Sequence, residues 1–318
     1  PYLQNDQIGD IDMKIAIIGQ AAFGKDVLNA LVDKKEHVAA VLCPPDNPGR
    51  PEDPIKSAAL ENQIPVFQYK RMRDKEAIRE FLSLHIDLCV MAFVTDIVPD
   101  EILEAPRLGT IQYHPSLLPE HRGPSSINWP IIQGKSKTGL TIFWPDKGLD
   151  TGPILLQKEF DITETDTLGS IYFGKLYPAG VEAMVEAIEM VKNGTAPKVE
   201  QDHSKATYEG WCRSGDVIID WNKPGIEIYN LIRGSDPSPG ANTVWNKKSI
   251  YLFNTSFESS EHDQPGGTVT KISDESFSLS VSDGVINIGR VKVDREAKIM
   301  ASDFVESHGL KVGDRFGL

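Results

Sequence analysis

Leu88-Cys89-Val90-Met91-Ala92-Phe93 is apolar at every position. A strand with one wet face alternates apolar and polar residues, whereas a strand covered by helices on both faces reads as an unbroken apolar run. This stretch therefore predicts the central strand of a parallel sheet. Outward from it, further strand-like runs fall at 14–19, 37–43, 109–114, 138–144 and 154–160. Helical patterns fall between and after them, at 22–33, 54–63, 74–84, 125–133 and 167–193. Strands alternating with helices predict an α/β fold, a Rossmann-like, doubly wound and mainly parallel sheet. Pro178 lies inside the last helical pattern and predicts a kink there or a break into two helices. That pattern closes at Asn193-Gly194, with Pro197 just behind.

The pattern then changes. Residues 195–215 are polar, and a helix is predicted at 224–233, opened by Pro224. Short β-branched runs follow at 242–245, 250–254, 267–272, 276–281 and 285–293, separated by turn residues. They predict a small antiparallel β-barrel. The expected domains are 13–200, a linker at 201–215, and the barrel at 216–318. Residues 1–12 are polar and patternless and read as a tag or disordered extension. They lack the basic head and apolar core of a signal peptide.

A length of 318 residues fits two domains. The net charge of −13 argues against general binding to nucleic acid or an acidic membrane. No apolar run approaches the roughly 18 residues of a membrane span. Cys43, Cys89 and Cys212 are far apart and lack C-x-x-C spacing, which argues against a disulfide framework and a zinc site. A reducing, cytoplasmic setting is expected, and no metal-ligand spacing is present.

Three segments carry groups suited to chemistry. Gly19-Gln-Ala-Ala-Phe-Gly24 sits at a strand-to-helix turn, where glycine admits either a close backbone neighbour or part of a substrate. It is not G-x-G-x-x-G, and Cys43-Pro44-Pro45 stands where a dinucleotide site places an acid, so NAD is not expected. In Thr110-Ile-Gln-Tyr-His114, alternation puts Gln112 and His114 on one face and Ile111 and Tyr113 on the other. Open α/β sheets bind ligands beyond the carboxyl ends of their strands, and a double-proline loop follows His114 there. Asp150, in Gly148-Leu-Asp-Thr-Gly152, ends the loop after another strand. Asp146 is a second carboxylate of that loop, ranked below it as a loop or ligand-contact residue.

These residues resemble the formyltransferase family that uses 10-formyltetrahydrofolate. The family pattern is Asn-x-His, a Ser-Leu-Leu-Pro loop, Arg-Gly, then a distal Asp-x-Gly. Here His114, Ser116-Leu117-Leu118-Pro119, Arg122-Gly123 and Asp150-Thr151-Gly152 match it in order. Tyr113-His-Pro-Ser-Leu-Leu-Pro-Glu-His-Arg-Gly123, Gly148-Leu-Asp-Thr-Gly152, Ala206-Thr-Tyr-Glu-Gly210 and Ile232-Arg-Gly234 bring it nearest to the N-terminal hydrolase domain of 10-formyltetrahydrofolate dehydrogenases. The chain departs at Gln112, which stands where the family's transferases carry Asn.

The resemblance implies a Rossmann-like domain followed by an OB-like β-barrel, and His114, Asp150 and Gln112 as catalytic residues. It implies folate contacts at Met91, Phe93, Val94, Ser116, Leu117, Leu118, Pro119, Asp146 and Gly148. The pterin would meet backbone of 91–94, and Leu118 would line the entrance. The implied reaction is removal of the formyl group of 10-formyltetrahydrofolate, giving tetrahydrofolate and formate, without a metal. The alternative is transfer to an amine acceptor: an amino sugar, an amino acid or methionyl-tRNA. A third possibility is a folate-binding module without catalysis. A fused or following carrier and dehydrogenase domain is the implied partner.

Overall fold

The computed structural model describes residues 13–317, so the expected extension at 1–12 lies outside the described residues. The first elements are β1 (Ile15–Gly19), α1 (Ala21–Asp33), β2 (Val38–Cys43), α2 (Pro54–Glu61), β3 (Val66–Gln68), α3 (Lys75–Ser83) and β4 (Leu88–Ala92). Next come α4 (Asp100–Leu103), β5 (Thr110–His114), α5 (Asn128–Ile132), β6 (Lys137–Phe143) and β7 (Ile154–Asp161). These seven strands form one sheet in the order β3-β2-β1-β4-β5-β6-β7. β1 pairs parallel with β2 and β4, β2 with β3, and β4 with β5, whereas β6 runs antiparallel to β5. The mixed α/β sheet is the one the apolar runs predict. β3 escapes the sequence reading because three half-buried residues are too few to show a period.

All five residues of β4 are buried. On one face of the sheet Ala16, Ile18, Leu42, Cys89 and Met91 pack with Phe81, Ile102 and Leu103 of α3 and α4. The other face meets α1, where Tyr113 stacks on Phe23 with ring centroids 4.5 Å apart. This stacking settles the alternation along β5: Tyr113 is committed to the α1 side, so Gln112 and His114 project to the opposite face.

Pro178 stands at the second residue of a helix that follows a widened turn. α6 (Leu168–Ile171) runs into a π-helical turn at Tyr172–Leu176 before α7 (Tyr177–Lys192). Proline has no N–H to give to the carbonyl four residues back, and a widened turn accommodates the missing bond.

The remaining elements are α8 (Gly225–Gly234), β8 (Ala241–Trp245), β9 (Lys248–Ser259), β10 (Val269–Ile272), β11 (Phe277–Val281), β12 (Gly284–Val293), β13 (Lys298–Met300) and α9 (Ala301–His308). Their sheet is antiparallel, in the order β10-β11-β12-β9-β8, with β13 paired to β12. Its core gathers Trp245, Leu252, Phe277, Ile286, Ile288, Phe304 and Phe316. The strand path is open, so the closed barrel expected from the sequence is not what forms. An irregular C-terminal segment lies along the end strands. Gly313 N–H donates to Val269 O and Val269 N–H to Asp314 O. Phe316 N–H donates to Gly267 O and Gly317 N–H to Val244 O, which links β8 to the approach to β10. The exposed backbone of an edge strand needs such cover, and here a loop supplies it.

Contacts divide the described chain into two compact units. One comprises the residues up to Pro119 with Leu140–Lys158 and Tyr177–Ala206; the other comprises Glu120–Gly139, Glu159–Leu176 and the chain from Thr207 onward.

Candidate active site

His114 is the last residue of β5, where the strand stops and Pro115 turns the chain. It is buried, and its partner across the antiparallel pair is Thr141 of β6. Thr141 also fixes the loop that follows. Its hydroxyl donates to Ser116 O at 2.7 Å and accepts from Leu118 N–H at 3.2 Å and from Gln157 Nε2 at 2.9 Å. Gln157 Nε2 also donates to Leu118 O at 2.8 Å. With both backbone groups of Leu118 tied down, its side chain is drawn inside and only 3% exposed. Leu117, half-buried, has the exposed surface of the pair. Ser116 is fully buried, and the Leu118–Pro119 peptide is cis.

Asp150 arrives from the loop after β6. Asp146 organises that loop: its Oδ1 accepts from Gly148 N–H at 3.0 Å and from the Thr151 hydroxyl. A Cβ on Gly148 would lie 2.0 Å from Thr151 Oγ1, and one on Gly152 would lie 1.7 Å from Trp144 O. Both positions therefore demand glycine. Asp146 and Gly148 serve the loop's shape, one of the two roles the sequence leaves open for Asp146. Asp150 itself has a left-handed backbone, φ 55°, uncommon for a non-glycine residue though less so for aspartate than for most. Gln201 holds this turn, since its Nε2 donates to Asp150 O at 2.9 Å and Gly152 O at 2.7 Å.

The end of β5 and the loop after β6 bring His114 Nδ1 to 3.7 Å from Asp150 Oδ2, with both side chains buried. That separation exceeds a good hydrogen bond, and catalytic contacts often tighten only when substrate is present. Gln112 is half-buried, two residues before His114 and on its face. No partner among the described residues takes its side-chain amide. An imidazole and a carboxylate thus meet at the end of β5, with an amide donor two residues back on the same strand face, a set suited to stabilising an oxyanion and moving a proton.

The Gly19 turn differs. A Cβ there would lie 2.5 Å from Ala92 O, so glycine serves the close approach of β1 to β4. The first amide of α1, Ala21 N–H, donates to Asp53 Oδ1 at 2.8 Å, and Ile55 N–H donates to the same oxygen at 3.1 Å. One carboxylate caps α2 and also fills the position at the α1 N-terminus that an anionic ligand would seek. A cavity of about 230 Å³ opens beside it, with Gln20, Cys43, Tyr69, Phe93, Val94 and Asp96 in its walls. His114 and Asp150 are not among its lining residues. Burial pushes the Cys43 thiol up to about 12, with Asp53 adding to the effect, so this cysteine is no nucleophile.

Met91, Phe93 and Val94 part company. Met91 lies inside the ladders, paired with Ile18 and Gln112, and its side chain belongs to the core. Phe93 and Val94 lie beyond the strand end. Phe93 has φ 62° and is 48% exposed. Sequence reasoning missed Thr141, Gln157, Gln201 and Asp53. Only Thr141 left a signal: a hydroxyl inside the apolar run Leu140-Thr-Ile-Phe-Trp144 must find a buried partner.

Two family models cover most of the chain: "Formyl transferase" over residues 13–188 and "Formyl transferase, C-terminal domain" over 213–309. Cytosolic 10-formyltetrahydrofolate dehydrogenase of Xenopus laevis is 40% identical over 250 residues, 77% of this chain and 28% of that protein. Methionyl-tRNA formyltransferase of Clostridioides difficile is 33% identical over 306 residues, 95% of this chain and 99% of that protein. HypX of Aquifex aeolicus in complex with tetrahydrofolic acid shares the fold at a TM-score of 0.69 and 19% identity, over 95% of this chain and 48% of that one. The chain belongs to the formyl transferase family, whose substrate is formyl-tetrahydrofolate. It spans a little over a quarter of the length of the dehydrogenases it matches. No described helix is long and apolar enough to cross a membrane.

Proposed function

We propose that this chain transfers the formyl group of 10-formyltetrahydrofolate to water, releasing tetrahydrofolate and formate. The observation that carries this reading is the set of three groups on one strand edge: His114 and Asp150 at 3.7 Å and the Gln112 amide without a partner among the described residues. Water attacks the formyl carbon while its proton passes to Asp150. Charge gathers on the formyl oxygen, where His114 and Gln112 donate; one such donor is typically worth about 10²–10³ in rate. The bond from N10 to the formyl carbon breaks, N10 takes a proton, and tetrahydrofolate leaves. Phe93, Val94 and Leu117, beyond the strand ends, are the proposed folate contacts, with Pro119 beside them.

Gln112, which stands where the family's transferases carry Asn, supports water as acceptor. One observation favours the amine reading: the methionyl-tRNA formyltransferase is matched over 99% of its length. Asp53 counts against any acceptor that would set a phosphate on the α1 N-terminus. The proposed organisation is a catalytic domain at 13–200, a linker at 201–215 and an OB-like domain at 216–318, in which the C-terminal segment takes the place of a closing strand. A following dehydrogenase domain belongs to this reading, as does a cytoplasmic setting, supported by the cytosolic relatives.

The test is tetrahydrofolate release from 10-formyltetrahydrofolate, first alone and then with amine acceptors. Release without an amine is expected. Release only in the presence of one amine makes the chain a transferase, and binding without release makes it a folate-binding module.

A further inference from the structure

We propose that Gln201 is the positioning residue that aims Asp150 at the reacting atoms. The inference rests on the reading of Asp150 as the proton acceptor, and it adds a residue from the stretch that the sequence pattern gives to a linker.

The carboxylate of Asp150 lies 3.7 Å from His114 Nδ1, too far for the imidazole alone to fix it. The backbone that carries it is a second constraint on where it points. That backbone is left-handed at φ 55°, uncommon for a non-glycine residue though less so for aspartate than for most. Two neighbours hold it there. Gly152 lets the chain pass against Trp144 O, where a Cβ would come within 1.7 Å. Gln201 spans the turn from the other chain segment, spending both hydrogens of its amide nitrogen on the carbonyls of Asp150 and Gly152, at 2.9 and 2.7 Å. The Gln201 side chain is buried, so no water takes over these bonds at low cost. The bridge fixes the carbonyls on either side of Thr151, and with them the direction in which the Asp150 Cα–Cβ bond leaves the backbone. Glutamine suits this place because the amide nitrogen gives two donors on one atom; a carboxylate of the same shape gives none.

The experiment compares wild type with Gln201→Glu, Gln201→Leu and Asp150→Asn. It reads kcat and KM for tetrahydrofolate release, the melting temperature, and the Kd for tetrahydrofolate. Misplacing a catalytic group by about 1 Å costs about 10²-fold in rate. Both Gln201 variants are expected to lose kcat by about that factor, with KM and the tetrahydrofolate Kd within about 3-fold of wild type. A merely structural role predicts the opposite split: a lower melting temperature with kcat per folded molecule unchanged, and that result overturns the proposal. If Gln201→Leu does not fold, the isosteric Gln201→Glu carries the test alone. Turnover lost in Asp150→Asn but kept in Gln201→Glu rejects the positioning role while leaving the active-site assignment standing. Turnover kept in Asp150→Asn rejects that assignment itself.

Discussion

Two strand-end turns at the carboxyl edge of one sheet differ in what their polar groups have left to do. At the end of β1, the first amide of α1 is taken by Asp53, and Gly19 is explained by its distance to Ala92 O. At the end of β5, the Gln112 amide has no partner among the described residues and the buried His114 and Asp150 stand 3.7 Å apart. Both places are where an open α/β sheet puts ligands. The difference teaches that position in the fold nominates a site, and a buried imidazole and carboxylate beside the Gln112 amide select it.

The largest expected effects break the comparison at the β5 end. His114→Ala and Asp150→Ala should each lower tetrahydrofolate release by at least about 10²–10³-fold. Circular dichroism should show both variants folded. Near-normal rates in either would remove the chemistry from this edge.

Glycines sharpen the contrast next. Gly152→Ala and Gly19→Ala both force a Cβ onto a carbonyl oxygen, at 1.7 and 2.5 Å. Each should cost about 3 kcal/mol, at the upper end of ordinary single substitutions, as measured by denaturant unfolding. Per folded molecule, Gly19→Ala should keep its rate and Gly152→Ala should lose it, because only the second displaces Asp150. Equal rates in the two would erase the distinction between the turns.

Asp53→Ala removes the α2 cap and should cost about 1 kcal/mol, whereas Asp53→Ser retains a capping oxygen and should cost less. Turnover should hold in both. In the serine variant, inorganic phosphate should newly perturb the Ala21 amide in NMR spectra, and a wild-type response of the same size would show that the carboxylate does not guard the helix end. The smallest effect is expected at Gln112→Asn, a rise in amine transfer relative to formate release with little change in total rate. An unchanged product ratio would mean that this position does not choose the acceptor.

Legibility in the sequence follows sequence separation. The sheet can be read from Leu88–Phe93 because burial on both faces leaves an apolar run. His114 and Asp150 can be read because each sits in a local strand-to-turn motif. Gln201 cannot: it acts on residues 51 and 49 positions earlier from a polar stretch with no period. Asp53 reaches back 32 positions to Ala21 in the same way. The resemblance puts Leu118 at the entrance, and no local pattern shows that Thr141 and Gln157 hold both its backbone groups and leave its side chain buried. The closed barrel is over-read for a related reason, since a single irregular segment, Gly313–Gly317, lies where a strand would be expected and shows no alternation.

The most direct test of the central claim is the rate of tetrahydrofolate formation from 10-formyltetrahydrofolate, with no amine present, in wild type and Asp150→Asn side by side. Steady release with one formate per tetrahydrofolate in wild type, and its loss in the variant with folate binding retained, is the predicted result. Equal release from both proteins would contradict the claim that the His114–Asp150 edge performs the chemistry.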